Sequence, residues 1–345
     1  MKRFAKLYIS LILILGIILL TGCEKNTSDS DKKYTSQIFA LDTVIDITAF
    51  GEKAEDAIKA AEDEIRRLEK VFSATDEQSD IYKLNNAEGT ETVIDSDAYI
   101  LLDYSKYINT ITGGNFDVTV YPLMKLWGFT DKEYKVPESD EIKEALHRIN
   151  SENIILTENY TVKLQNNAQV DLGGIAKGYI ADKAAEAMKE AGAEYGIISL
   201  GGNIRTVGAK PSGEDYSIGI KAPDSADYFA VINTGECSVV TSGAYQRNFE
   251  KDGKTYHHIL DPETGYPSQS DIVSATIIGT DGALCDALST AVFIGGSEYA
   301  SNLYKQGVNF EYVILTNENQ VIAPESLDGR LSLAEGFENL EIIYR

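Results

Sequence analysis

Histidine is scarce in this chain. His147, His257 and His258 are the only three in 345 residues, so imidazole chemistry has few places to occur. Cysteine is as rare. Besides Cys23 there are only Cys237 and Cys285, which excludes a disulfide framework and leaves either one bridge or two unpaired buried thiols. Positive charge is short as well: 31 Lys and Arg stand against 54 Asp and Glu, a formal net charge of −23. That balance argues strongly against a nucleic-acid partner, because phosphate backbones are held by basic faces. No internal repeat or heptad array is visible after residue 34, and no Pro/Gly/Ser linker after residue 37, which favours one continuous unit.

The long apolar run lies at the start. Lys2, Arg3 and Lys6 precede Leu11 to Leu20, followed by Thr21-Gly22-Cys23. A basic start, a short apolar core and small residues at its end describe a secretory signal, shorter than a membrane span. The Leu20-Thr21-Gly22-Cys23 ending resembles the lipobox of bacterial lipoproteins, which implies a signal over residues 1–22, cleavage before Cys23 and a lipid on its thiol. Residues 23–36 then read as a flexible tether, and residues 37–345 as the folded part.

Ile38 to Phe50 reads as one strand ended by Gly51, and Glu52 to Phe72 as an amphipathic helix with Ala57, Ile58, Ala61, Ile65, Leu68 and Phe72 inward. Helices are expected over Tyr99 to Thr112 and Ser139 to Ile149, and short strands over Thr161 to Leu164 and Ala168 to Leu172. A further helix should stop at Gly192, a strand should fill Tyr195 to Leu200, and strands should alternate with turns from Tyr216 to Tyr256. The last clear helix runs from the N-cap Asp281 to Phe293. Helices and strands mix without a steady βαβ rhythm, so the expected class is α+β, with mixed or antiparallel sheets and packed helices.

Within that frame Asp171-Leu-Gly-Gly-Ile-Ala-Lys177-Gly178 joins a strand to a helix. Glycines let a phosphate approach backbone N–H groups, a helix start adds partial positive charge, and the lysine adds a full one. The stretch matches neither common nucleotide-binding glycine pattern. Asp286 and Thr290 lie four apart on one helix face, two oxygen ligands that suit a hard cation such as Mg²⁺, although such a pair also suits a merely solvated face. His257 and His258 precede a tight Asp261-Pro262-Glu263-Thr264-Gly265 turn, and strand alternation sends them to opposite faces. Gly113-Gly114-Asn115-Phe116-Asp117 offers an aromatic and a carboxylate to a planar ring, or a buried Phe beside a turn-capping Asp.

Together these segments resemble the ApbE flavin transferases (FAD:protein FMN transferases). The matching blocks are Leu41-Asp42-Thr43, Asn115-Phe116-Asp117 with Pro122-Leu123, Asp171 to Gly178, and Gly201-Gly202-Asn203. Thr241-Ser242-Gly243 through Arg247, His258 to Gly265, and Asp286 to Thr290 complete them. The resemblance implies a single catalytic unit with a T-fold-like core. It implies that Leu41, Asn115, Phe116, Asp117, Asp171, Lys177 and the backbone near Leu260 contact FAD, the substrate. It further implies that the Gly174 carbonyl, Asp286 and Thr290 hold Mg²⁺, and that His258 is the base. Asp42 departs from the family's usual glycine and Asn115 from its common alanine. The implied reaction moves FMN from FAD onto a Thr or Ser hydroxyl of an acceptor protein, such as a membrane redox complex subunit, and releases AMP. An FAD pyrophosphatase and a non-catalytic flavin-binding lipoprotein are the alternatives. The implied location is the extracytoplasmic face of a bacterial membrane, anchored at Cys23.

Overall fold

A computed structural model describes residues 32–345 apart from positions 224 and 226. Cys23 and the expected signal peptide fall outside the described residues, and Lys33 to Ser36, assigned above to the tether, form the first half of a strand. Nine strands make the main sheet, and their spatial order repeats their order along the chain. They are Lys33–Ala40, Thr43–Phe50, Tyr195–Leu200, Asn203–Val207, Ser238–Gly243, Ile272–Gly279, Glu311–Thr316, Gln320–Ala323 and Glu341–Tyr344. Every neighbouring pair is antiparallel except the last, which is parallel. The expected α+β class is therefore the class observed.

Period-two alternation gives the sheet two buried faces. Val239, Ile278 and Val313 pack against a three-stranded sheet that carries Tyr216, Ile218, Phe229 and Ile232. Their chain neighbours Val240, Ile277 and Tyr312 face the other way, onto Leu288, Val292 and Phe293 of the Gly282–Gly295 helix. Further along that same face the Ala54–Phe72 and Ala176–Glu190 helices cover Ile45, Ile47 and Ile198, with all six predicted inward residues of the first helix buried. Among the described residues no helix is long and apolar enough to cross a membrane.

Some expectations are corrected. The single strand over Ile38 to Phe50 is a hairpin that turns at Leu41 and Asp42, both with positive φ (55° and 56°). Such a turn is normally built from Asn-Gly, Asp-Gly or Gly-Gly, so the pair Leu-Asp gives no turn signal in the sequence. The Leu41 N–H is satisfied by Glu69 Oε1 at 2.6 Å. Asp42→Gly should stabilise the fold slightly, by about 0.5 kcal/mol, because relief of left-handed strain exceeds the extra freedom of the unfolded chain. Urea unfolding checks this, and a loss of stability would contradict it.

The expected strand over Ala168 to Leu172 is also absent. Val170 is instead clasped by one side chain: Asn85 Nδ2 donates to its carbonyl (2.8 Å) and Asn85 Oδ1 accepts from its N–H (2.7 Å). A side-chain amide thus takes the place of a neighbouring strand, which local pattern cannot reveal. An additional helix, Ser297–Lys305, follows directly after Gly296, beyond the last helix expected from the sequence.

The helices Ala176–Glu190 and Gly282–Gly295 cross at Gly178 and Gly282. A Cβ on Gly178 would lie 1.9 Å from the Gly282 carbonyl oxygen, and one on Gly282 would lie 2.6 Å from the Gly178 oxygen. Backbone cannot yield as a flexible side chain can. Gly178→Ala should therefore cost about 3 kcal/mol through overpacking, measured by urea unfolding, and an unchanged midpoint would contradict the crossing.

Candidate functional site

The crossing brings the phosphate-type motif to the oxygen pair. Ahead of the Ala176–Glu190 helix the Leu172 carbonyl accepts from the N–H groups of Ile175 (3.0 Å) and Ala176 (2.8 Å), turning the chain into the helix. No side chain caps that helix start, which leaves its partial positive charge to a ligand. Gly174 has an ordinary φ, so its lack of a side chain serves close approach. A Cβ there would lie 3.2 Å from Phe116 Cε2 and 3.8 Å from Thr290 Oγ1. Gly174, Phe116 and Thr290, far apart in sequence, are thus neighbours.

Asp286 stands at the centre. It is 4% exposed, and each carboxylate oxygen accepts one neutral donor: Gly178 N–H on Oδ2 and Asn203 Nδ2 on Oδ1, both at 3.0 Å. Among the described residues no Lys or Arg forms an ion pair with it. A buried carboxylate with two neutral donors and no cationic partner is costly unless a cation joins it. Thr290, one turn later, has a hydroxyl with no hydrogen-bond partner among the described residues, and Gly174 lies against it. The donor set is all oxygen with one carboxylate. Among the described residues no group of three His, Cys, Asp or Glu could hold a metal by itself. That set fits Mg²⁺, which keeps waters and takes phosphate oxygens as further ligands. Behind Asp286, Ser289 Oγ donates to the Asp286 carbonyl (2.7 Å) and lies 2.7 Å from Ser242 Oγ, so Ser242 is part of a hydroxyl chain.

Lys177, half-buried, donates to Asn203 Oδ1 at 3.3 Å. Asp171 accepts from the Gly173 N–H at 2.8 Å. Burial pushes its carboxyl up, and the charge of Arg247 works against that rise.

His258 follows the Lys254–His257 strand. The Arg247 carbonyl accepts from both the His258 backbone N–H (3.0 Å) and the ring Nδ1 (3.1 Å). A carbonyl only accepts, so the neutral ring carries its proton on Nδ1 and keeps the Nε2 lone pair. Burial, then the charge of Arg247, pushes the ring down to about 3; the charges of His257 and Lys177 add to this. His257 points the other way, as alternation requires. Its Nε2 faces the Ser268 carbonyl at 3.1 Å and its ring packs edge-on to Phe293. Beyond His258, Leu260 pairs with Pro267 across the predicted turn, where Asp261 Oδ1 accepts from Glu263 N–H (2.8 Å) and Trp127 Nε1 donates to the Gly265 carbonyl (2.9 Å).

The remaining predicted residues lie around this centre in different ways. Leu41 sits in the first hairpin turn, beside the Gly201-Gly202 turn: a Cβ on Gly201 would meet Thr43 Oγ1 at 2.3 Å. Asn115 reaches Gly295 and Tyr299. Phe116 is buried against Gly174. Asp117 Oδ1 accepts from the N–H (2.8 Å) and hydroxyl (2.6 Å) of Thr119, and Asn109 donates to Oδ2 at 3.2 Å, so its carboxylate caps a turn. His147 lies exposed, and Cys237 and Cys285 are both free and buried. Asn203 and Arg247 stood in the recognised blocks without a role. Only the pairing of distant elements gives them one, and the sole local hint for Asn203 was the Gly-Gly turn before it.

Fold and site together define a class: a nearly all-antiparallel sheet under crossed helices, with an oxygen-lined polar centre where the helices meet its hairpin turns. The chain belongs to the ApbE family, whose model matches residues 41–314. It is similar to an FAD:protein FMN transferase of Treponema pallidum (strain Nichols), 30% identical over 326 residues, covering 88% of this chain and 90% of that protein. One from Klebsiella pneumoniae (strain 342) is 32% identical over 263 residues, covering 75% and 81%. The crystal structure of the ApbE protein from Thermotoga maritima superposes with a TM-score of 0.82 at 33% identity, covering 87% of this chain and 99% of that one.

Proposed function

We propose that this chain is an Mg²⁺-dependent FAD:protein FMN transferase. The observation that carries the reading is the buried Asp286, held by neutral donors, beside Thr290, Gly174 and the uncapped helix start. The names of its relatives support the same activity.

In this reading Asp286, Thr290 and the Gly174 carbonyl hold the cation, which when bound neutralises the FAD diphosphate and favours AMP as leaving group. Lys177 and the helix start hold charge that develops on the phosphoryl oxygens. His258 Nε2 takes the proton of the acceptor Thr or Ser hydroxyl as its oxygen bonds to the phosphorus next to riboflavin. The bond from that phosphorus to AMP breaks, and the product is FMN joined to protein by a phosphoester. Leu41, Asn115, Phe116, Asp117, Asp171 and the Leu260 turn are assigned to the rest of the FAD.

We further propose that residues 1–22 are a signal and that Cys23 carries a lipid, which tethers the enzyme to the extracytoplasmic face of the membrane near a redox-complex acceptor. The sequence support is the Leu20-Thr21-Gly22-Cys23 ending. Incubating the chain with FAD and Mg²⁺, with and without a flavin-acceptor protein, tests the activity. AMP release that requires the acceptor is expected. Equal release without it would favour a pyrophosphatase, and tight FAD binding with no release would favour a binding protein. Added EDTA should stop the reaction.

A further inference from the structure

Asn203 sits between Lys177 and Asp286 and touches both. It is 2% exposed, at the start of the strand that follows the Gly201-Gly202 turn. Chemistry alone orients its amide. A lysine ammonium can only donate, so the atom facing Lys177 Nζ at 3.3 Å must be Oδ1. A carboxylate only accepts, so the atom facing Asp286 Oδ1 at 3.0 Å must be Nδ2. The two demands agree, and a flipped amide would violate both.

We propose that Asn203 is a positioning residue that aims the Asp286 carboxylate at the cation and couples it to Lys177. The inference rests on the metal-assisted reading above and deepens it. With Gly178 N–H on Oδ2 and Asn203 Nδ2 on Oδ1, rotation about the carboxylate's own bond is blocked at both ends. One lone pair per oxygen stays available to a hard cation. Gly178 N–H belongs to the backbone and is set by the helix, so the Asn203 amide is the restraint that a side-chain truncation removes. Because its other end is held by Lys177, the group that faces phosphate and the group that faces metal share one hydrogen-bonded frame. Partners of metal ligands typically change metal affinity about 10- to 100-fold when removed.

The test titrates Mn²⁺, as a paramagnetic stand-in for Mg²⁺, into the purified full chain with FAD present and follows free Mn²⁺ by electron paramagnetic resonance. Asn203→Ala should bind Mn²⁺ about 10- to 100-fold more weakly than the parent. The Mg²⁺ concentration for half-maximal turnover should rise in step. Asn203→Leu, close in size, carries the same expectation should the alanine variant fold poorly. A merely structural asparagine would lower the melting temperature yet leave Mn²⁺ affinity of the folded chain within two-fold, and that result overturns the proposal. Failure of the parent chain itself to bind Mn²⁺ would instead overturn the metal reading on which it rests.

Discussion

On the proposed reading, Asp286→Ala should lower the transfer rate by at least about 10³-fold, because it would remove the carboxylate of the proposed metal set and with it several kcal/mol of charge stabilisation. The side chain has a structural part as well. Its loss leaves the Gly178 N–H and Asn203 Nδ2 without their acceptor in a buried place, at a cost of about 2–3 kcal/mol of stability. The two effects separate experimentally. Urea unfolding in metal-free buffer reports the second, and activity well below the melting temperature reports the first. Raising Mg²⁺ should not restore the rate. A folded Asp286→Ala variant with more than a tenth of the parent activity would remove the metal from the account.

His258→Ala should lower the rate by about 10²- to 10⁴-fold, the usual worth of a general base, while FAD affinity stays close to that of the parent. The ring's folded value, pushed down to about 3, keeps it neutral through the physiological range, with the Nε2 lone pair exposed by the Nδ1 contact to Arg247. The rate should therefore not fall with an acid limb centred near 6.5, the ordinary value for histidine. The stability consequence has a fixed sign. A depressed value means that the unfolded chain binds the proton more tightly. The contribution is complete above about 6.5 and is lost as pH falls toward about 3. His258→Gln should flatten that part of the stability profile. An acid limb in the parent near 6.5 that vanishes in His258→Gln would contradict a pre-neutralised base.

Much of this architecture is legible along the chain because it is local. The stripe from Ala57 to Phe72, the Asp281 N-cap and the Tyr195 to Leu200 strand each follow from period or from capping chemistry, and each is found. The hairpin at Leu41-Asp42 is hidden because Leu-Asp is not a pair that such a turn normally uses. The Val170 segment looks like a strand in sequence but is not one, because its partner is the side chain of Asn85, 85 residues away. The site follows the same division. Asp286 and Thr290 on one turn, and His257 opposed to His258, come from periodicity. The tie between Gly178 and Asp286, 108 residues apart, comes only from the crossing of two helices at paired glycines. The role of Asn203 rests on the same long-range pairing, and that of Arg247 on the chain returning past His258.

Intact-mass spectrometry of an acceptor protein after incubation with this chain, FAD and Mg²⁺ tests the central claim most directly. The account predicts that the acceptor gains FMN in phosphoester linkage on a Thr or Ser, with AMP released in equal amount, and that EDTA prevents both. An acceptor of unchanged mass while FAD is cleaved to free FMN and AMP, or while FAD stays intact, would contradict it.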